Sequence, residues 1–510
     1  MLERIKERWR QQEYRRFFMY YLGAKVGGVL LCLAIIKVVS SYWFHPAFAD
    51  DAAAAATPPT PAYINPINTM WTVIAAFLVF FMQAGFMFLE AGFARTREAV
   101  NVLLEGIVDT CLCGLLFYAW GFAFMFAHGN GFIGYHWFFL QGVPDTYEGT
   151  GVAFLAYWLF QFAFADTCST ITSGAMVGRT GFWGDLLYSF GVSGFIYPII
   201  GHWAWGPDGW LTAIQPVAFH DFAGSTVVHT IGGFISLAGA MVLGPRIGRK
   251  FKRDGGGPMP AHNMTLAAVG GVILWFGWYG FNPGSTLSGM DMIGCGRVAA
   301  NTTLAACAGG LTAMFWLYPR NKKWDCGITI NGFLAGLVAI TCPCYWVSPT
   351  GAVILGAVAG VVCIYAVDLL EYLRIDDPVG AWPVHGACGI WGTLSLGLLA
   401  CGKYGASGPT GPDDSSPVTG LFYGGGSQLL VAQLIGSASI TAATFGVSLI
   451  MFYLVKMTGT LRISKEGELE GMDLHEHGTG AYPETPTIEP AAVSSASPGG
   501  GLVGAPVAAE

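Results

Sequence analysis

The chain has 510 residues, 53% of them hydrophobic and only 11% charged, with mean hydropathy +0.52 and net charge −7. A soluble domain carries about 25% charged residues, so this chain cannot cover a surface that faces water on all sides. The modest negative charge, without a basic face, excludes nucleic acid as a natural partner. Its 72 glycines suit helices that approach closely in lipid, where burying leucine against leucine gains little.

Residues 1–25 are polar and basic, Val26 to Ile36 is apolar, and Ala47-Phe48-Ala49 precedes Asp50-Asp51. Basic, apolar, then A-x-A is the order of a secretory signal peptide, which assigns 1–49 to a cleaved leader. Lys37 and the long basic stretch keep an uncleaved anchor helix as the alternative. Residues 50–66 read as an extracytoplasmic linker without periodicity. Eleven apolar stretches follow, at 70–93, 99–126, 151–177, 182–201, 223–245, 262–281, 295–318, 327–346, 350–372, 383–402 and 428–457. Each approaches the length of about 20 residues that a spanning helix needs.

The loops between them alternate in charge. One set carries Arg95 and Arg97, then Arg179, then Arg246, Arg249, Lys250, Lys252 and Arg253, then Arg320, Lys322 and Lys323, then Arg374. The other set, at 127–150, 202–222 and 282–294, has no Lys or Arg, and 403–427 has only Lys403. This positive-inside pattern predicts an all-α integral membrane protein with its N-terminus outside and its C-terminus in the cytoplasm. The transmembrane domain is expected over 67–460, a cytoplasmic regulatory tail over 461–482, and a disordered Pro-, Ala-, Gly- and Ser-rich tail over 483–510. Cys111, Cys113, Cys307, Cys363 and Cys388 stand singly in apolar runs and read as small buried hydrophobes, and the Cys342-Pro343-Cys344 pair is a weak metal or disulfide signal.

One pattern occurs twice. Residues 221–233 read DFAGSTVVHTIGG and residues 377–389 read DPVGAWPVHGACG, sharing Asp, Gly, Val-His and Gly at matched offsets. The copies open the fifth and tenth predicted helices, so they enter the membrane from opposite sides. That is the mark of an inverted repeat, whose two halves share a site near the midplane. His229 and His385 are thereby expected to meet. A histidine at membrane depth is a functional candidate by default, and two imidazoles can satisfy one another while still offering a nitrogen to a small polar guest. Zinc would require a third ligand that the sequence does not supply at matching depth, and a two-histidine haem is the other rival. No cofactor is expected.

FQFAFADTCSTITSGAM (160–176), HWAWGPDGWL (202–211), DFAGSTVVH (221–229), GWYGFNPGS (277–285), IDDPVGAWPVHGACGIWG (375–392) and GMDLHEHGTGAY (471–482) together resemble the ammonium transporters of the Amt/Mep/Rh family, and the bacterial Amt branch in particular. The resemblance covers about 67–482. It implies eleven helices as two inverted five-helix repeats plus a peripheral eleventh, a homotrimer in the cell (inner) membrane with a pore in each subunit, a role in nitrogen metabolism, and no enzymatic activity. It makes Phe160, Phe164, Trp205 and Ser285 the external recruitment site, and Phe164 and Phe281 the stacked pair that closes the pore. Trp278 then lies along the pore, His229 and His385 are its paired histidines, and Asp221 is the acidic residue beside the recruitment site. It also implies a PII-type signal protein at the cytoplasmic face, with Asp473 and Tyr482 in the docking tail.

Chemistry supports these roles. Aromatic faces attract a small cation, a serine hydroxyl accepts one of its protons, and ammonia crosses an apolar pore far more cheaply than ammonium does. Below the recruitment site the pore is expected to be apolar except for the histidines, whose pKa near ambient pH suits a proton relay. Asp221 either caps helix five through Thr226 or acts electrostatically. Asp166 is expected to bond a neighbouring helix, and His128 and His202 to lie in external loops. Many relatives carry an acid where Gly178 stands. A sensor that binds without flux and a Rh-like neutral ammonia channel are the competing readings; residues 483–510, 28 in number, read as too short for a kinase or cyclase domain.

Overall fold

The computed structural model describes residues 61–405, 407–408, 411–412 and 418–482. The expected leader, linker residues 50–60 and the 483–510 tail lie outside the described residues. The described chain is a helix bundle: α1 (Ile64–Phe93), α2 (Thr96–Phe126), α3 (Phe154–Gly174), then α4 running from Phe182–Gly191 through a π-turn into Tyr197–Trp205. It continues with α5 (Ser225–Leu243), α6 (Met264–Phe281), α7 (Met292–Asn321), α8 (Cys326–Thr341), α9 (Pro349–Leu373), α10 (a π-turn at Trp382–Ala387 joined to Cys388–Leu399) and α11 (Gln428–Met457). Two short helices end it, α12 (Lys465–Glu470) and α13 (Met472–His477). Seven of these, α1, α2, α5, α6, α7, α9 and α11, are long and apolar enough to cross a membrane, and α8 is apolar but shorter.

Local chemistry sets where these helices begin. Asn263, Asp291, Asp325 and Ser348 each accept a backbone N–H of the first turn of α6, α7, α8 and α9, at 2.8–3.1 Å. Small residues then let axes close in: at the α1–α6 crossing, a Cβ on Gly270 would lie 2.3 Å from the Leu89 nitrogen. Burial grades outward from the middle. The apolar window of α5 is 83% buried, whereas that of α11 is 28% buried, with Leu434, Ile450, Leu454 and Met457 exposed. Such an apolar exterior is what lipid, not water, solvates. Cys111 and Cys307 belong to it. Both are exposed rather than buried as expected, because their helix positions turn away from the bundle.

The basic loops gather at one end. Arg246 grips Asp376 bidentately at 2.8 and 3.0 Å, Arg249 pairs with both Asp376 and Glu371, and Arg179 donates to the carbonyls of Gly244 and Asp376. Burial alone would raise the Asp376 carboxyl, but the Arg246 bonds hold it well below the usual range. The tail folds onto this end: Asp473 accepts from the Asn101 N–H at 2.9 Å, Glu468 from the Ile247 N–H, and Tyr482 meets His262 at 2.9 Å. At Gly178, where an acid was expected by resemblance, the Glu98 carboxylate fills the space. A Cβ there would lie 2.6 Å from Glu98 Oε1, and Arg95 bonds both Glu98 and the Gly178 carbonyl.

At the opposite end His128 bridges Asp208 (3.1 Å) and Glu148 (3.0 Å), as a loop residue should. His202 differs from expectation. It lies within α4, fully buried, and its ring bonds the carbonyls of Met125 (2.9 Å) and Asn130 (2.8 Å), pinning the end of α2 to α4. Asp166 does reach a neighbouring helix, accepting from Thr110 of α2 at 3.2 Å.

Replacing Arg246 with Ala takes the bidentate partner from buried Asp376 and leaves it the single Arg249 contact at 3.2 Å, and should cost about 2–4 kcal/mol in unfolding measurements in detergent, a little under the cost of stranding a buried charge outright. The Glu148 hydrogen bond raises the His128 pKa above its ordinary 6.5. The contribution of His128 is therefore complete below about pH 6.5 and lost as pH rises through the raised value. The melting-temperature gap between the parent protein and His128→Gln should be widest in mild acid and close in alkali.

Candidate functional site

Both copies of the repeated motif fold in the same way. Asp221 accepts from the backbone N–H groups of Gly224, Ser225, Thr226 and Val227 at 2.9–3.0 Å. Asp377 accepts from Gly380, Ala381 and Trp382 at 2.9–3.0 Å. Gly224 (φ 111°) and Gly380 (φ 79°) both take the left-handed turn that brings those amides round the carboxylate. Each turn leads into a π-helical step, Ser225–Thr230 or Trp382–Ala387, and each step carries the histidine. The final motif glycines meet the opposite copy. A Cβ on Gly233 would lie 2.3 Å from the Gly386 nitrogen, and one on Gly389 would lie 2.4 Å from Thr230 Oγ1.

This crossing brings His229 and His385 together, Nδ1 to Nδ1 at 3.1 Å, with ring centroids 5.2 Å apart. One ring donates and the other accepts. His229 is wholly buried, and its Nε2 has no hydrogen-bond partner among the described residues. Trp278 lies parallel to His229 at 5.1 Å and is held by its own bond to Thr341 Oγ1 at 2.9 Å. Phe281 stacks on His229 at 5.4 Å and on Phe164 at 4.0 Å. Phe164 is followed by Phe160 at 4.7 Å and Trp205 at 6.0 Å. The rings form a continuous file.

Above Phe164 the file opens into a cavity of about 270 Å³, lined by Phe160, Phe164, Trp205 and Ser285 together with Phe126, Tyr157, Gln161 and Phe222. The sequence reading did not single out these last four. Ser285 Oγ donates to the Phe281 carbonyl at 2.8 Å, which turns its lone pairs away from that bond. Trp205 Nε1 donates to the Asp221 carbonyl at 2.8 Å, so the motif aspartate also anchors the cavity wall. Asp221 itself does not line the cavity. Its two oxygens are engaged by four amides, which makes it a backbone clamp. Asp377, its partner in the repeat, stood in plain view in the motif and has the same geometry.

Beyond His385 lies a smaller cavity of about 20 Å³, bordered by His385, Phe86, Leu334, Glu90 and Asn331. Here the expectation of an apolar lining fails, because a carboxyl and a carboxamide face the same space. The signal was available: Glu90 is an acid within an apolar stretch at membrane depth.

An apolar-faced helix bundle with a ring-lined, histidine-bearing axis defines a multi-pass membrane protein. The chain belongs to the ammonium transporter family, whose model, the Ammonium Transporter Family, matches residues 70–482. It is 42% identical over 480 residues to ammonium transporter Amt2 of Archaeoglobus fulgidus, covering 92% of this chain and 99% of that one. It is 41% identical to a putative ammonium transporter of Synechocystis sp., covering 81% and 88%. Among solved structures it resembles a Sensor Amt Protein (TM-score 0.73, 36% identity, covering 81% of this chain and 99% of that one). The two sequence relatives carry the name of ammonium transporters, and the solved one that of a sensor, so none of the three is named as an enzyme.

The shared clamp predicts matched effects. Asp221→Ala and Asp377→Ala each strand several buried amides and should each cost roughly 2–4 kcal/mol of stability in detergent, at or above the range for one lost helix cap.

Proposed function

We propose that the protein moves ammonium across the cell membrane through the ring-lined axis. Ammonium is recruited among Phe160, Phe164, Trp205 and Ser285 and loses a proton near the Phe164–Phe281 pair. Ammonia then passes along Trp278 and the His229–His385 pair while the imidazoles relay the proton. The observation that carries this reading is the unbroken file of rings from the outer cavity to two hydrogen-bonded histidines. A desolvated cation gains most from such faces, and an apolar passage favours the neutral guest. Asp221 acts as a clamp whose charge also favours cations nearby.

In this reading α3, α4, α8 and α10 cross the membrane along with the seven long apolar helices, giving eleven crossings in two inverted five-helix halves with α11 outside them. The equivalent Asp clamps and π-turns support that symmetry, and the low burial of α11 supports its peripheral place. Arginines collected at one end favour a cytoplasmic location for that end and for the tail. The domain division at 67–460 and 461–482, the removal of a leader before residue 50, a homotrimer, and a PII-type protein docking beside the tail belong to the same proposal.

Current recorded on solid-supported membranes from reconstituted protein tests it. Ammonium pulses should give a saturable inward current that falls, or loses selectivity against potassium, in His229→Ala and Phe164→Ala. Ammonia flux without current would replace this reading with the neutral channel, and binding without either would replace it with a sensor.

A further inference from the structure

We infer that Glu90 and Asn331 form an inner ammonium site on the far side of the histidine pair, where ammonia and its proton recombine. This rests on the transport reading above and adds to it the step that returns the proton to ammonia. The cavity bounded by His385, Glu90 and Asn331 has about 20 Å³, room for one water-sized guest. The outer cavity touches the ring file at Phe164, whereas this one touches it at His385, so the two lie at opposite ends of the file.

The polar lining is acceptor-rich. Asn331 turns its NH2 group toward the Val379 carbonyl, to which one N–H donates at 3.1 Å, and its Oδ1 is buried and without a partner among the described residues. Ser173 donates to Glu90 Oε2 at 3.2 Å, and no Lys or Arg pairs with Glu90 among the described residues. The ionisable groups that interact with Glu90 through space are Asp185, Asp377, Glu105 and Asp109, all acidic. A guest held here must donate hydrogen bonds and be small, and ammonium, with four N–H donors, fits where an anion or a larger solute does not.

The exchange balances. Ammonia arriving past His385 takes the proton of the Glu90 carboxyl, breaking its O–H bond and forming the fourth N–H bond of ammonium. The carboxylate that remains is reloaded by the proton passed along the imidazoles. The departing cation therefore forms inside the protein, beside a counter-charge, and not in the cytoplasmic water.

Reconstituted protein with Glu90→Gln keeps the side-chain size and the Ser173 bond but cannot give up a proton. Its ammonium-driven current should fall about tenfold or more, ammonia flux read by internal pH should persist, and Glu90→Asp should restore part of the current with a shifted pH profile. Wild-type current alongside unchanged current and pH profile in Glu90→Gln overturns this inference and leaves the transport reading standing. Absence of wild-type current overturns both. If Glu90→Gln loses current and flux together, infrared difference spectra of the wild type decide. A protonated-carboxyl band lost on adding ammonium, and altered by Asn331→Leu, supports the site; a spectrum without such a band overturns it.

Discussion

Two carboxylates make the centre of this bundle possible. Helices entering lipid leave their first amides without partners, and each such group costs free energy when dry. Asp221 and Asp377 gather those amides at the two places where the helices begin below the surface. Each clamp allows a left-handed turn and a widened π-step, and the step rotates its histidine toward the other half. The 3.1 Å contact between the imidazoles thus depends on backbone chemistry a turn or two away. The Trp205 bond to the Asp221 carbonyl extends the same clamp to the wall of the outer cavity.

Much of this was legible in the residues. The repeated motif singled out both histidines, and an inverted arrangement of the two copies led to the expectation that they meet, as they do at 3.1 Å. The four cavity residues taken from the family motifs do line one cavity, joined to the histidines by stacked rings. What the sequence could not decide was the work of Asp221, because a cap and a cation attractor look alike until the amides are seen. His202 was misplaced for a similar reason: a polar residue near a predicted helix end gives no sign that two carbonyls of another helix will claim it. Glu90 is hard to see in the sequence because one acid scarcely changes the apolar character of the stretch at 70–93. Lipid-facing cysteines and core cysteines likewise share a composition and differ only in the direction a helix turns.

The arginine-rich end works by a different logic. There charges are abundant and paired, and arginines reach carbonyls as often as carboxylates. Loops from several helix pairs and the 461–482 tail are tied through Asp376, Glu468 and Asp473 into one polar plate. The helices beneath it are joined mainly by apolar contact and small residues. Rigidity is thus supplied from this end and from the central clamps.

The Glu98–Gly178 pair limits what either position can become. Space for one carboxylate exists beside Arg95, and here residue 98 supplies it across the first loop. Gly178, at φ 84°, also disfavours any side chain through its own backbone. The two positions are therefore coupled in this chain: what residue 178 can hold is decided by what residue 98 already occupies, so neither substitution has an effect of its own that can be read without the other.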